Sequence, residues 1–335
     1  MYKVVLDVMG GDFAPSQILR GADLALQEIP ELELILVGRE EVLKTYVGKP
    51  RVSVVFAEEV VEMDESPGDA LRKKREASIF KGIELLKSKE AGAFVSAGNS
   101  GAVAAGSIFI LGRIEGVRRP AIATLLPTVK EPFVLIDVGA NVDSKPVDLF
   151  QFGIMGKVFL EKVWGRLNPK IALLSIGEES GKGNLLVKKA HQLFKNSNLN
   201  YVGNIESRDI YRGEVDVVVC DGFIGNICLK LSEGLAEVIL EMLKNEVKKS
   251  VVSSLGLFMA KKAIDGFKKK ADWREYGGAP LLGVKGNVII AHGRSDALAI
   301  KNAIRVAVNT IKINLVEKLE SAIKENLIEE EKECA

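Results

Sequence analysis

Ser96, Gly98, Asn99, Ser100 and Gly101 make a run of small and polar residues between two apolar stretches, Ala93 to Val95 and Ala102 to Leu111. Read as strand end, turn and helix start, this is a recipe for binding an anion. The glycines let backbone N–H groups approach closely, and the helix N-terminus adds partial positive charge. Ser96, Asn99 and Ser100 add side-chain donors. The bland reading is a tight turn with Asn or Ser capping the helix. The run matches neither the dinucleotide glycine fingerprint nor the P-loop spacing.

Similar clusters recur. Asn141 and Asn226 are neutral donors suited to phosphate or an oxyanion, or else helix caps and turn residues. Lys182 lies between Gly181 and Gly183, where a phosphate contact suits it better than packing. His292, in Ala291 to Ser295, is a general acid, an anion ligand or a structural histidine. His191 reads as surface. Asp7 and Asp12 flank Met9-Gly10-Gly11 and suit a metal, a lysine contact or, for Asp12 above all, a helix cap. No carboxylate spacing matches a known metal loop, so no metal and no cofactor are expected. There is no G-x-S-x-G elbow, and two histidines make a catalytic triad hard to build. The clusters suit a reaction in which the substrate itself is the nucleophile, as inorganic phosphate is near neutral pH.

The elements that would position these residues alternate. Strands are expected at 3–8, 32–37, 52–56, 93–95, 121–126, 133–138, 171–176, 201–205 and 215–219, and two more over 281–293 around a turn at 285–287. Helices are expected at 15–28, 40–46, 69–87, 102–111, 147–164, 185–195, on to 247, and over most of 296–326. This alternation implies a mainly parallel sheet covered by helices on both faces. Ligands then bind at strand C-terminal ends, where six of the polar clusters fall, so one shared cleft is expected. No internal repeat or linker stands out. The chain has 335 residues, 47% hydrophobic and 27% charged, with net charge +1. That argues against a general nucleic-acid binder. Three cysteines suggest a reducing compartment. With no signal-like or membrane-spanning stretch, cytoplasm is the default.

Two features concern larger partners. Arg72, Lys73, Lys74 and Arg75 place four cations on one helical turn, a solvated face or a docking patch for an acidic partner. Over 251–270, Leu255, Phe258, Met259 and Phe267 share one helical face with lysines on its flanks. That suits a helix on an anionic membrane surface, or one packed at a dimer interface or core.

Taken together the motifs resemble the bacterial phosphate acyltransferases of the PlsX family. They run nearly end to end: DVMGGDFAP from Asp7, ALRKKREASI from Ala70, VSAGNSGA from Val95, IDVGANVDSKP from Ile136 and QFGIMG from Gln151. IGEESGKGN from Ile176, GNIESRDI from Gly203, DGFIGNICLK from Asp221, GGAPLLGVKG from Gly277 and HGRS from His292 follow. Ser100 stands where the family usually has Thr, and Val8 where it often has Ala. The resemblance implies acyl transfer from acyl carrier protein to inorganic phosphate, with no cofactor, and an acyl phosphate passed to a membrane glycerol-3-phosphate acyltransferase. It also implies a homodimer peripherally attached to the membrane. The implied fold is a three-layer α/β/α sandwich similar to phosphate acetyltransferases and isocitrate/isopropylmalate dehydrogenases. It spans 1–335 as one large domain or two intertwined subdomains, with an amphipathic excursion near 250–275. In that light Arg72 to Arg75 become a carrier-protein dock and Leu255 to Phe267 a membrane contact. The rival readings are an enzyme using coenzyme A esters and a non-catalytic acyl- or phosphate-binding protein.

Overall fold

The computed structural model describes residues 1–250, 260, 262, 266 and 273–333. Eleven strands form one sheet, in the order β3-β2-β1-β4-β11-β10-β5-β6-β9-β7-β8. They are β1 (Tyr2–Asp7), β2 (Leu32–Gly38), β3 (Val52–Phe56), β4 (Ala93–Ser96), β5 (Ala121–Leu126), β6 (Phe133–Ile136), β7 (Ile171–Ser175), β8 (Tyr201–Glu206), β9 (Val217–Val219), β10 (Ala279–Leu282) and β11 (Asn287–Ile290). The helices are α1 (Ser16–Glu28), α2 (Glu40–Leu43), α3 (Pro67–Lys73), α4 (Ser78–Lys87), α5 (Ser100–Gly106), α6 (Pro146–Val163), α7 (Leu185–Lys195), α8 (Gly222–Lys248), α9 (Trp273–Tyr276), α10 (Ala297–Lys312) and α11 (Leu315–Glu333).

Strands β1 to β4 and β11 run parallel to one another, and so do β6, β9, β7 and β8. Between the groups, β10 is antiparallel to β11 and to β5, and β5 is antiparallel to β6. The two parallel groups therefore point in opposite directions. Twist of about 20–25° per strand, accumulated over the five steps from β4 to β9, turns them back toward one another.

Alternation along each strand sends successive side chains to opposite faces. Val4, Leu6, Leu34 and Val95 pack with Ile18 and Ala22 of α1 and Ile300 and Ile304 of α10. In the other half, Val134, Ile136, Leu173 and Val217 pack under α6 and α7, with Leu315 and Leu319 of α11. The opposite face carries one core shared by both halves, from Val5 and Phe94 through Leu281 to Phe133 and Val218. Strands buried on both faces read as continuous apolar runs, which is why they were legible.

Three expectations change. The single helix at 69–87 is two, α3 and α4. Lys74 leaves helical geometry at φ −120° and ψ 52°, and its ammonium bonds Val60 O at 2.9 Å and Glu65 at 2.7 Å. The helix after the 96–101 turn ends in a π turn over Ser107–Leu111. The helical stretch after Asp296 breaks at Asn314, which takes a φ of 51°. No helix among the described residues is long and apolar enough to cross a membrane. Leu255, Phe258, Met259 and Phe267 lie outside the described residues.

Candidate active site

β1, β4 and β11 are neighbours, so their C-terminal loops meet. Asp7 ends β1 fully buried. Its Oδ2 accepts the Ser96 hydroxyl at 2.7 Å and its Oδ1 accepts the Met9 N–H at 3.1 Å. The Ser96 oxygen in turn accepts the Gly98 N–H at 3.0 Å. Burial pushes the Asp7 carboxyl above the usual range, against the hydrogen bonds from Ser96, Ser78, Met9 and Gly10. The loops touch backbone to backbone: a Cβ on Gly10 would stand 2.5 Å from Asp7 Oδ2 and 2.5 Å from Gly98 N. The Asp12 N–H reaches Gly293 O at 2.8 Å, and the Ala291 N–H reaches Ser96 O at 2.8 Å. The Asp12 carboxylate does not cap α1, whose N-cap position is Pro15 with no side-chain cap bond.

Asn99 is the N-cap of α5. Its Oδ1 accepts the Ala102 N–H at 3.0 Å, and its amide donates to the carbonyls of Glu62, Met63 and Glu65 at 3.2, 3.1 and 2.9 Å. A helix leaves its first N–H groups without intrahelical acceptors. Asn99 takes that of Ala102, and Val103 N–H bonds Asn99 O. The N–H groups of Ser100 and Gly101 have no partner among the described residues, and the Ser100 side chain is exposed. Of the five residues expected to hold an anion, the side chains of Ser96 and Asn99 are thus engaged within the protein and the Gly98 N–H points inward. The donors left are the backbone N–H groups of Asn99, Ser100 and Gly101 and the Ser100 hydroxyl, none with a partner among the described residues.

The second group of loops follows β6, β7 and β9. Asp137, also fully buried, receives five hydrogen bonds: from the N–H groups of Ile122, Gly139, Ala140 and Asn141, and from the Asn141 amide. Burial still pushes its carboxyl up. The Asn141 amide donates to Asp137 at 2.9 Å and to Pro120 O at 2.7 Å, so both its hydrogens are taken. This corrects its expected role as an oxyanion donor. The start of α8 is equally closed: Asp221 caps Phe223 and Ile224, and the Gly222 N–H bonds Asn141 O. Asn226 gives a hydrogen to Val138 O at 3.2 Å, and its second hydrogen has no partner among the described residues. Lys182 is exposed on the loop before α7, with no carboxylate within 4 Å among the described residues.

The six clusters therefore form two groups, not one row of strand ends. The groups are joined by α8, which starts in the second and reaches the first. His292 Nε2 lies 3.6 Å from Glu233, and Arg294 pairs with Glu237 at 2.9 Å. Seven residues of helix, about 10 Å, separate Asn226 from Glu233. His292 Nδ1 accepts the Arg294 N–H at 3.1 Å, which puts the proton of the neutral ring on Nε2. His191, expected at the surface, is buried and bonded to Tyr201 at 2.7 Å.

The four basic residues separate. Arg72 and Lys73 are largely exposed while pairing with Asp69, Arg75 is exposed, and Lys74 anchors the 60–65 loop. Lys74 is therefore not a docking cation. Glu233 was missed, and so was the part the two aspartates play as buried hydrogen-bond acceptors. A signal existed for the aspartates: Leu6-Asp7-Val8 and Ile136-Asp137-Val138 each end an apolar run before a glycine turn. α8 also leaves an apolar stripe exposed, with Ile227, Leu231, Leu235, Val238 and Met242. Among the described residues no group of three His, Cys, Asp or Glu side chains is placed to hold a metal ion.

A family model described as fatty acid synthesis protein matches residues 2–318. The chain is 49% identical over 330 residues to a phosphate acyltransferase of Thermodesulfovibrio yellowstonii, covering 97% of this chain and 95% of that one. It is 48% identical over 326 residues to a phosphate acyltransferase of Pelotomaculum thermopropionicum, covering 96% and 95%. A solved phosphotransacetylase from Streptococcus pyogenes superposes with a TM-score of 0.61 at 18% identity, over 93% of this chain and 94% of that one. A branched-chain phosphotransacylase from Enterococcus faecalis gives 0.60 at 16%, over 93% and 99%. These two share the fold.

Proposed function

This chain belongs to the fatty acid synthesis protein family of phosphate acyltransferases, and on that premise we propose that it moves a fatty acyl group from acyl carrier protein to inorganic phosphate. The observation that carries the mechanism is the run of N–H groups at Asn99, Ser100 and Gly101 without partners among the described residues. With the Ser100 hydroxyl and the Lys182 ammonium they receive phosphate. A phosphate oxygen attacks the thioester carbonyl carbon and the carbonyl oxygen becomes an oxyanion, which the open hydrogen of Asn226 stabilises. Collapse breaks the C–S bond and releases acyl phosphate and the carrier thiolate. The thiolate takes a proton from water, or from His292 in its imidazolium form. Positioning and electrostatics suffice because the nucleophile is already an anion.

Arg72, Lys73 and Arg75 form the dock for the acidic carrier, supported by their exposure at the rim of the first loop group. The α8 stripe supports a homodimer, since a contiguous exposed apolar face calls for a cover. The amphipathic 251–270 stretch supports peripheral attachment at the cytoplasmic membrane surface, where a membrane glycerol-3-phosphate acyltransferase takes the product.

The test is loss of thioester from long-chain acyl carrier protein with and without inorganic phosphate, with acyl phosphate trapped by hydroxylamine and acyl-coenzyme A run in parallel. Phosphate-dependent turnover with the carrier, weak with coenzyme A, is the expected result. Preference for the coenzyme A ester moves the assignment to that donor. Absence of turnover with either overturns the enzyme reading.

A further inference from the structure

Asp7 is a buried carboxyl that takes no direct part in the steps above. Burying such a group costs free energy that an apolar residue of similar size would not. The groups that offset the cost all belong to the first loop group or the elements beside it. Ser96 has a single hydroxyl hydrogen. Asp7 Oδ2, at 2.7 Å, takes it, leaving the Ser96 oxygen to accept the Gly98 N–H at 3.0 Å. The Met9 N–H, at 3.1 Å from Oδ1, ties the adjacent loop to the same carboxyl. Gly10 fits only as glycine, because a Cβ there would stand 2.5 Å from Gly98 N and 2.8 Å from the Gly98 Cα. With the Gly98 N–H drawn inward and the Asn99 side chain holding the Ala102 N–H, the turn leaves the N–H groups of Asn99, Ser100 and Gly101 without partners among the described residues.

We propose that Asp7 is a positioning residue that acts through Ser96 to set the 98–101 turn for phosphate. The inference rests on the phosphate-acyltransferase reading of this site. Asp7→Asn keeps one acceptor oxygen and turns the other into an N–H donor, so either the Ser96 hydroxyl or the Met9 N–H loses its acceptor and the link between the two loops is broken. Ser96→Ala removes the same link from the other side, with a loss of one oxygen.

The experiment measures KM for inorganic phosphate, KM for the acyl donor, and thermal unfolding, for the wild type, Asp7→Asn, Ser96→Ala and the double variant. The expected result is a phosphate KM raised about tenfold in each single variant with the donor KM within twofold. The double variant is no worse than the weaker single, because the two residues act in series. Phosphate KM values within twofold of wild type overturn the inference, as do additive losses or parallel shifts of both KM values with the unfolding temperature. If Asp7→Asn fails to fold, Ser96→Ala alone decides on the same KM split. A wild type that transfers acyl groups without phosphate, or not at all, overturns the underlying reading instead. The wild-type arm separates that failure from failure of the relay.

Discussion

After β4, the buried Asp7 accepts from Ser96 and Met9, and the N–H groups of Ser100 and Gly101 are left without partners among the described residues. After β6, the buried Asp137 accepts from Gly139, Ala140 and Asn141, and the Gly222 N–H is closed by Asn141 O. Both turns contain Gly and Asn and are held by a buried Asp, which comes from the end of β1 in the first and from within the turn itself in the second. One is open to a ligand and the other is sealed. Donor residues at a strand end therefore say little until every hydrogen has been assigned. The sealed turn still contributes, since it seats α8 and so places Asn226.

The sharpest way to break this contrast is to compare the two asparagines. Asn226→Ala removes an open donor and should lower kcat by about 10²–10³-fold with little change in stability. Asn141→Ala breaks two internal bonds and should cost about 1–3 kcal/mol in denaturant unfolding, with kcat per folded molecule far less affected. Steady-state kinetics and urea melts on both variants decide it, and a reversed pattern would sink the assignment.

A second comparison tests how α8 is seated. A Cβ on Gly225 would overlap the Asp137 carbonyl oxygen, whereas Gly234, on the same helix, has nothing within 4 Å of its Cβ position. Gly225→Ala should destabilise by about 3 kcal/mol. Gly234→Ala should stabilise by about 0.5–1 kcal/mol, as alanine does in an open helix interior. Equal unfolding midpoints for the two variants would show that α8 is not anchored at Asp137.

The smallest effect is in pH. Burial raises the Asp137 carboxyl, so between its unfolded value near 3.8 and its folded value the native chain holds more protons than the unfolded chain. Stability from this group therefore falls as pH rises through that window, by at most about 1.4 kcal/mol per pH unit. Asp137→Asn should be less stable at every pH, yet the gap to wild type should narrow as pH rises. A gap that widens instead would mean that the five hydrogen bonds outweigh burial.

Much of this was present in the residue order. Apolar β-branched runs located the strands, because strands buried on both faces need no polar alternation. The glycine-bearing turns at 9–12, 96–101 and 139–143 mark where loops cross closely. The number and kind of available donors were not legible, since they depend on partners far along the chain. Ser96 meets Asp7 across 89 positions, Asn99 holds carbonyls 34 to 37 positions away, and Lys74 finds Val60 O 14 positions back.

The sequence by itself determined the alternating elements, the family and the loops that bear chemistry, because periodicity and turn residues are local properties of the chain. Tertiary structure alone decided that the loops form two groups, that Asn141 is sealed while Asn226 is open, and that Lys74 anchors a loop. Strand direction depends on pairing across the sheet, and a hydrogen bond is available only when no neighbour in space has already taken it.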